Sequence, residues 1–410
     1  LPARAEDIHS YYLILLDFLL FVGFVIVLKV VMLLLMAKLS ISLSDNPEEA
    51  QQAKVLHKQK TTFDQTLGQK WLRLGMGTLI TISGILQIQP RMVDISKAAV
   101  MRDLGLNQAP GAIHALASPF VNLWAANSAW MNVLSCTVQL LVGLVLLTTA
   151  NRTAVRITAV AGGLFAVFDW VLMTGFGGLF VPNTSLSGGS PLLEVVYLLM
   201  LLMFVLPASA WQIAERTDSG NRTLAVRAKR SGDVASIAGR APQNARAYTY
   251  LRIGIIGFWL LQVVFHVLPM EGFWTSSGWN RFLSLTNNGT VPGWVANTSD
   301  HVAHIISPGG LIVNVVAVVL FLAFMAVEWF LTPVRFATVI RVISIVWLVL
   351  TWFGFDHFGF QPVYMFSFGT SPAIVLALFI LMIGPKQAKE HKDTQTAHGA
   401  RLSATGSRTV

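Results

Sequence analysis

The sequence is poor in charge and in cysteine. Only 12% of its 410 residues are Asp, Glu, Lys or Arg, while 54% are hydrophobic, and the mean hydropathy is +0.62. Few water-soluble domains have that balance. Cys136 is the sole cysteine, which excludes an intramolecular disulfide, a CxxC redox pair, a CxxCH haem attachment and an iron–sulfur ligand set. No Ser–His–Asp pattern, nucleophile elbow or zinc-protease motif occurs. No two histidines lie mid-membrane on facing spans, which argues against haem.

Long apolar runs take the place of these features. Candidate spans of about 20 residues, the length a bilayer core demands, lie near 11–39, 71–93, 129–150, 154–175, 191–213, 248–270, 308–331, 334–355 and 371–385. They lack period-2 alternation, so an all-α polytopic membrane protein of about nine transmembrane helices is expected rather than a barrel. The first run contains Lys29 and is too long for a signal-peptide core, so it reads as a retained helix.

The formal net charge of +9 is topological. Arg216, Arg222, Arg227, Lys229, Arg230, Arg240, Arg246 and Arg252 crowd one connecting segment, whereas the alternate loops hold few basic residues. Under the positive-inside rule the N-terminus is expected outside and the C-terminus in the cytoplasm, in the plasma membrane. Nucleic acid is not an expected partner. The lipid bilayer is, together with protein partners in a membrane complex.

The chain also matches itself. Residues 73–90, RLGMGTLITISGILQIQP, align without a gap on 252–269, RIGIIGFWLLQVVFHVLP, pairing Arg73 with Arg252, Gly75 with Gly254 and Pro90 with Pro269. Pro110–Gly111 pairs with Pro292–Gly293, Asn132 with Asn314, Val155–Arg156 with Val334–Arg335, and Gly178 with Gly359. The expected layout is an outer N-terminus, leading helix and loop (1–69), a four-helix unit (70–214), a basic cytoplasmic linker (215–247), a second unit (248–385) and a polar, disordered tail (386–410). Four spans is an even number, so the units are expected as parallel repeats about an axis along the membrane normal.

Arg73, Gly75, Gln87, Gln89, Pro90 and Gly175 to Gly178, with Arg252, Gly254, Pro269 and Gly359, give each unit a likeness to a known family. Each resembles the DoxX/DoxD-like four-helix membrane proteins, here doubled. The resemblance implies quinone-dependent sulfur oxidation or membership of an oxidative-stress complex.

An ionised side chain at mid-bilayer costs about 2.5–3.5 kcal/mol, so Asp17, Lys29, Asp169, Glu194, His266, Glu328, Asp356 and His357 each draw notice. In the second unit His266, His301, His304 and His357 are expected at similar outer depth, with Asp300 and Asp356 beside two of them. In a helical 300–304, Asp300, His301 and His304 share a face. The first unit has Gln87 at the position of His266, Asn122 at that of His304 and Gly175–Phe176 at that of Asp356–His357. Three chemistries suit such a cluster. One is a metal site for copper or another transition metal at His301, His304 and Asp300. Another is a quinone site, with Asp356, His357 and His266 exchanging protons and Gln87, Trp352 and Phe355 holding the ring. The third is a proton or substrate path. Plainer readings are a solvated loop for His301 and His304, a helix-end pair for Asp356–His357 and an interfacial belt for the tryptophans. The function expected first is a membrane subunit supporting quinone-linked redox chemistry at the outer face. A carrier or metal-handling protein and a non-catalytic assembly subunit are the alternatives.

Overall fold

The computed structural model describes residues 62–88, 106, 110–173, 176, 193–211, 245–268, 272–277, 279, 293–330, 334–354 and 370–384, with 12, 13, 16 and 20 of the leading segment. Every regular element among them is helical. In chain order these are α1 (Leu67–Leu86), α2 (Gly111–Ala126), α3 (Ser128–Thr148), α4 (Arg152–Phe168, continued by a π-turn over Asp169–Met173) and α5 (Leu193–Leu202). Then come α6 (Arg246–Val267), α7 (Gly293–Ile306), α8 (Gly310–Phe330), α9 (Val334–Gly354) and α10 (Thr370–Ile383).

Five stretches are long and apolar enough to cross a membrane: Ser128–Thr148, Arg152–Leu172, Arg246–Val267, Gly310–Phe330 and Phe336–Phe353. Their outward faces carry Ile157, Leu164, Ile312 and Trp329, each at least 65% exposed, a surface suited to hydrocarbon and not to water. Three further expected spans are helical but differ for visible reasons. α1 contains Lys70, Arg73 and several hydroxyl and amide side chains. α5 tightens after Leu202 into i,i+3 bonds and meets Pro207, which cannot continue a helix. α10 has only 14 residues. Most of the leading span lies outside the described residues. α2 and α7 were not expected; they occupy the connections after α1 and α6.

Local signals set the helix starts. Thr66 and Gln69 form a reciprocal capping box at α1, and the Asn151 side chain accepts from Thr153 and Ala154 at α4. α1 buries Leu72, Met76, Leu79, Ile80 and Ser83, and α6 buries Leu251, Ile255, Phe258, Trp259 and Gln262. Each set recurs at helical spacing and follows the pairing of Arg73 with Arg252.

Each of these helices is pinned to the next long helix at both ends. The Arg73 guanidinium donates to the Leu146 carbonyl at 2.6 Å, and Arg252 donates to the Glu328 carbonyl at 2.7 Å. At the other end Asn132 Nδ2 donates to the Gln87 carbonyl, and Asn314 Nδ2 donates to the His266 carbonyl, both at 3.0 Å. Carbonyls at a helix end lack intrahelical donors, so each Asn satisfies a group otherwise stranded in an apolar layer. α1 and α3 approach closely because Gly143 has no side chain; a Cβ there would strike the Thr81 backbone at 2.6 Å.

The halves meet through α10, which runs antiparallel to both α1 and α6. Trp71 meets Phe379 edge-on at 5.3 Å, and the Tyr248 hydroxyl donates to the Gly384 carbonyl at 2.9 Å. α1 and α6 therefore point the same way, and Gln87 and His266 lie at one end of the molecule. One apolar core runs through both halves, from Phe63 and Leu72 to Trp259, Phe321 and Leu381.

Candidate functional site

α4 loses its regular winding at Asp169. The π-turn over Asp169–Met173 widens the helix, a device common at functional sites, and beyond it Phe176, whose amide donates to the Trp170 carbonyl at 2.7 Å, adopts φ 66°. A bulky residue in the left-handed region is strained, and the Phe176 ring is held against Trp170 at 4.9 Å. Asp169 is 8% exposed and faces inward beside Phe165 and Ala166. Across from it, the first turn of α5 supplies Glu194 and Tyr197, three residues apart and so on one face. α3 adds Gln139 between Val138 and Val142, and α1 adds Ile80 and Ser83. Together they enclose a cavity of about 70 Å³. That is room for a few waters or one small ring.

Two carboxylates, a phenol, an amide and a hydroxyl thus converge inside a bundle with aliphatic walls. The Tyr197 hydroxyl lies beside Ser83 but makes no hydrogen bond of good geometry. Such a site can hydrogen-bond a polar headgroup and accept its protons, while its walls exclude bulk water.

The second half is filled at this level. Trp259 stacks on Phe321 at 5.5 Å and tilts against Phe324 at 4.9 Å; Phe321 meets Trp347 edge-on at 5.9 Å. The helix starts at Ser128 and Gly310, and at Arg152 and Val334, share one offset of 182 residues. The buried residues of α9 (Ala337, Ser344, Leu348 and Thr351) follow those of α4 (Val155, Gly162, Ala166 and Asp169) at that offset. This sets Arg152 against Val334, three residues away from the pairing of Val155 with Val334 read from sequence. On this register Phe321 occupies the place of Gln139, Phe324 that of Val142, Trp347 that of Phe165 and Thr351 that of Asp169. Trp259 likewise stands where α1 has Ile80.

The residues expected to form a site are dispersed or outside view. Asp356, His357 and Phe355 lie outside the described residues. His266 is buried (4% exposed) and bonds through Nδ1 to Asn314 Oδ1 at 2.8 Å, with its ring stacked on Phe273 at 4.5 Å. Gln87 is buried at the end of α1, its carbonyl taken by Asn132. Asp300, His301 and His304 lie on helical α7, but all three are exposed. Trp352 is half-buried on α9. Among the described residues, no three His, Cys, Asp or Glu side chains come together as a metal site. Asp169 and Glu194 stood out in the sequence as in-span charges, whereas Tyr197, Gln139 and Ser83 carried no signal of their own.

No family model, curated protein or solved structure matches this chain.

Proposed function

We propose that the chain is an integral membrane subunit supporting quinone-linked redox chemistry at the outer membrane face, built from two tandem four-helix units, with the headgroup site in the first unit. The observation that carries this reading is the cavity of Asp169, Glu194, Tyr197, Gln139 and Ser83, kept in one half and plugged by aromatics in the other. A fold that can close this space with Trp259, Phe321 and Trp347 does not need the polar version for stability. Acidic groups at this depth of an apolar layer are rare, and a ligand-binding role accounts for two of them on one cavity.

The tandem layout is supported by the matched bonds of Arg73 and Arg252, and of Asn132 and Asn314. Basic loops favour a cytoplasmic C-terminus, which puts Asp169 and Glu194 toward the outer face. A quinol bound here would give up two protons as its two electrons pass to a redox centre on a partner subunit. Asp169 and Glu194 are suited to receive protons, Gln139 and Tyr197 to orient the ring oxygens, and Val138, Val142 and Phe165 to flank the ring.

The test is photolabelling of the full chain in nanodiscs with a short-chain azidoquinone. Labelled peptides from α4 and α5, protected by excess quinol and lost in Asp169→Asn, are expected. Labelling confined to α7 and α9, or none above that of an unrelated membrane protein, would overturn the assignment.

A further inference from the structure

The two contacts between the halves are unlike. α1 lies tightly on α10: a Cβ on Gly75 would meet the Leu376 side chain at 2.5 Å. The sequence pairs Gly75 with Gly254, and the matching contact would close α6 on α5. It stays open. Among the described residues, nothing lies within 4 Å of a Cβ built on Gly254 or on Gly257. A groove of about 540 Å³ runs between α5 and α6, floored by Ile374 and Ala377 of α10. Its walls are apolar except for Tyr250. It extends from Val195 to Leu206 along one wall and from Tyr250 to Leu261 along the other. At 1.5 Å per residue each wall is about 16 Å long, half of a hydrocarbon core of about 30 Å. That is the depth of one leaflet.

One end of the groove is basic. Leu206 lines the wall, and its carbonyl accepts from Arg156 Nη2 at 3.1 Å. Arg156 Nε is buried without a hydrogen-bond partner. Arg152 lies one turn away on the same face of α4, and among the described residues neither arginine has a carboxylate within ion-pair distance. Like charges at i,i+4 repel, so an anion between them would relieve the pair. Tyr250 belongs to this end, one turn into α6.

We propose that the groove between α5 and α6 is the site of one anionic phospholipid, with an acyl chain along the groove and its phosphodiester at Arg152 and Arg156. The site is separate from the first-half cavity and does not rest on the quinone reading. Apolar length selects a chain of one leaflet, and the uncompensated cations select the headgroup.

Native mass spectrometry of the full chain from micelles containing dioleoyl phosphatidylglycerol and dioleoyl phosphatidylcholine tests this. One phosphatidylglycerol is expected to survive activation that strips phosphatidylcholine. Arg152→Gln and Arg156→Gln should each lower that preference by about fivefold. Gly257→Leu, which fills the groove, should remove the retained lipid. Equal retention of the two lipids, a preference untouched by either arginine substitution, or displacement of the lipid by inorganic phosphate alone would overturn the proposal. If Gly257→Leu does not fold, the two arginine variants still decide, because both side chains are only partly buried and neither belongs to the apolar core.

Discussion

Where the first half keeps Ile80, Gln139, Val142 and Phe165 around an open space, the second half packs Trp259, Phe321, Phe324 and Trp347 against one another. The surrounding scaffold is the same in kind: an arginine at one end of the helix pair and an asparagine at the other, each bound to a helix-end carbonyl. The halves differ in what that scaffold encloses. Charge is placed differently too. In the second half Glu328, 2% exposed, takes a two-point bond from Arg341 at 2.6 and 2.8 Å at the end opposite His266. Just before α1, Asp64 takes a comparable two-point bond from Arg73 at 2.9 and 2.6 Å, and the first half in addition places Asp169 and Glu194 on a cavity. A carboxylate held by a guanidinium is occupied by assembly, whereas one lining a cavity can serve a ligand.

The largest expected effect separates those roles. Asp169→Asn should cut turnover of a short-chain quinol by about 10³-fold with little change in melting temperature. Thr351→Asn, at the matching place in the second half, should leave turnover intact; equal losses from both would dissolve the contrast. Arg341→Met should leave the Glu328 carboxylate with Arg252 alone, 3.9 Å away, and cost about 1–3 kcal/mol, read as a lower midpoint of denaturation in mild detergent, with a surviving midpoint counting against a structural ion pair.

Filling the cavity is the next test. Gln139→Phe imports the residue found at position 321 and should abolish quinone labelling while leaving the fold intact; labelling that persists would place the ligand elsewhere. Asn132→Ala should cost about 1–2 kcal/mol, since it leaves a buried carbonyl without its donor, and Asn314→Ala should cost more, since it also removes the bond to the buried His266 ring. Equal costs would show that the His266 ring bond adds nothing. His301→Ala and His304→Ala, exposed on α7, should shift stability by less than about 0.5 kcal/mol. Loss of bound copper or zinc in those variants would support the metal reading.

The contrast between halves was visible in the sequence, but the cavity lined by Asp169 and Tyr197 was not. Gln87 against His266, and Gly175–Phe176 against Asp356–His357, made the second half look like the chemical one. His266 is instead bonded through its ring to Asn314, the same asparagine that takes its carbonyl. That partner lies 48 residues away on another helix, so no spacing rule could have named it.

By itself the sequence determined that the chain is helical, with several segments long and apolar enough to cross a membrane. Runs of about 20 apolar residues must satisfy their backbone groups internally, and only helices do so within a single segment. It also pointed to Arg73, Arg252, Asn132 and Asn314, because polar residues recurring at one place in an apolar pattern have a reason to be there. Only tertiary structure decided what the buried faces enclose. Whether Asp169 meets Tyr197 depends on the π-turn that rotates the end of α4 and on the seating of α5 against α1. Whether the same space is open or filled depends on side-chain volumes from four helices together. Local periodicity fixes which face of a helix is buried; the shape left between buried faces is a property of their packing and is written in no single segment.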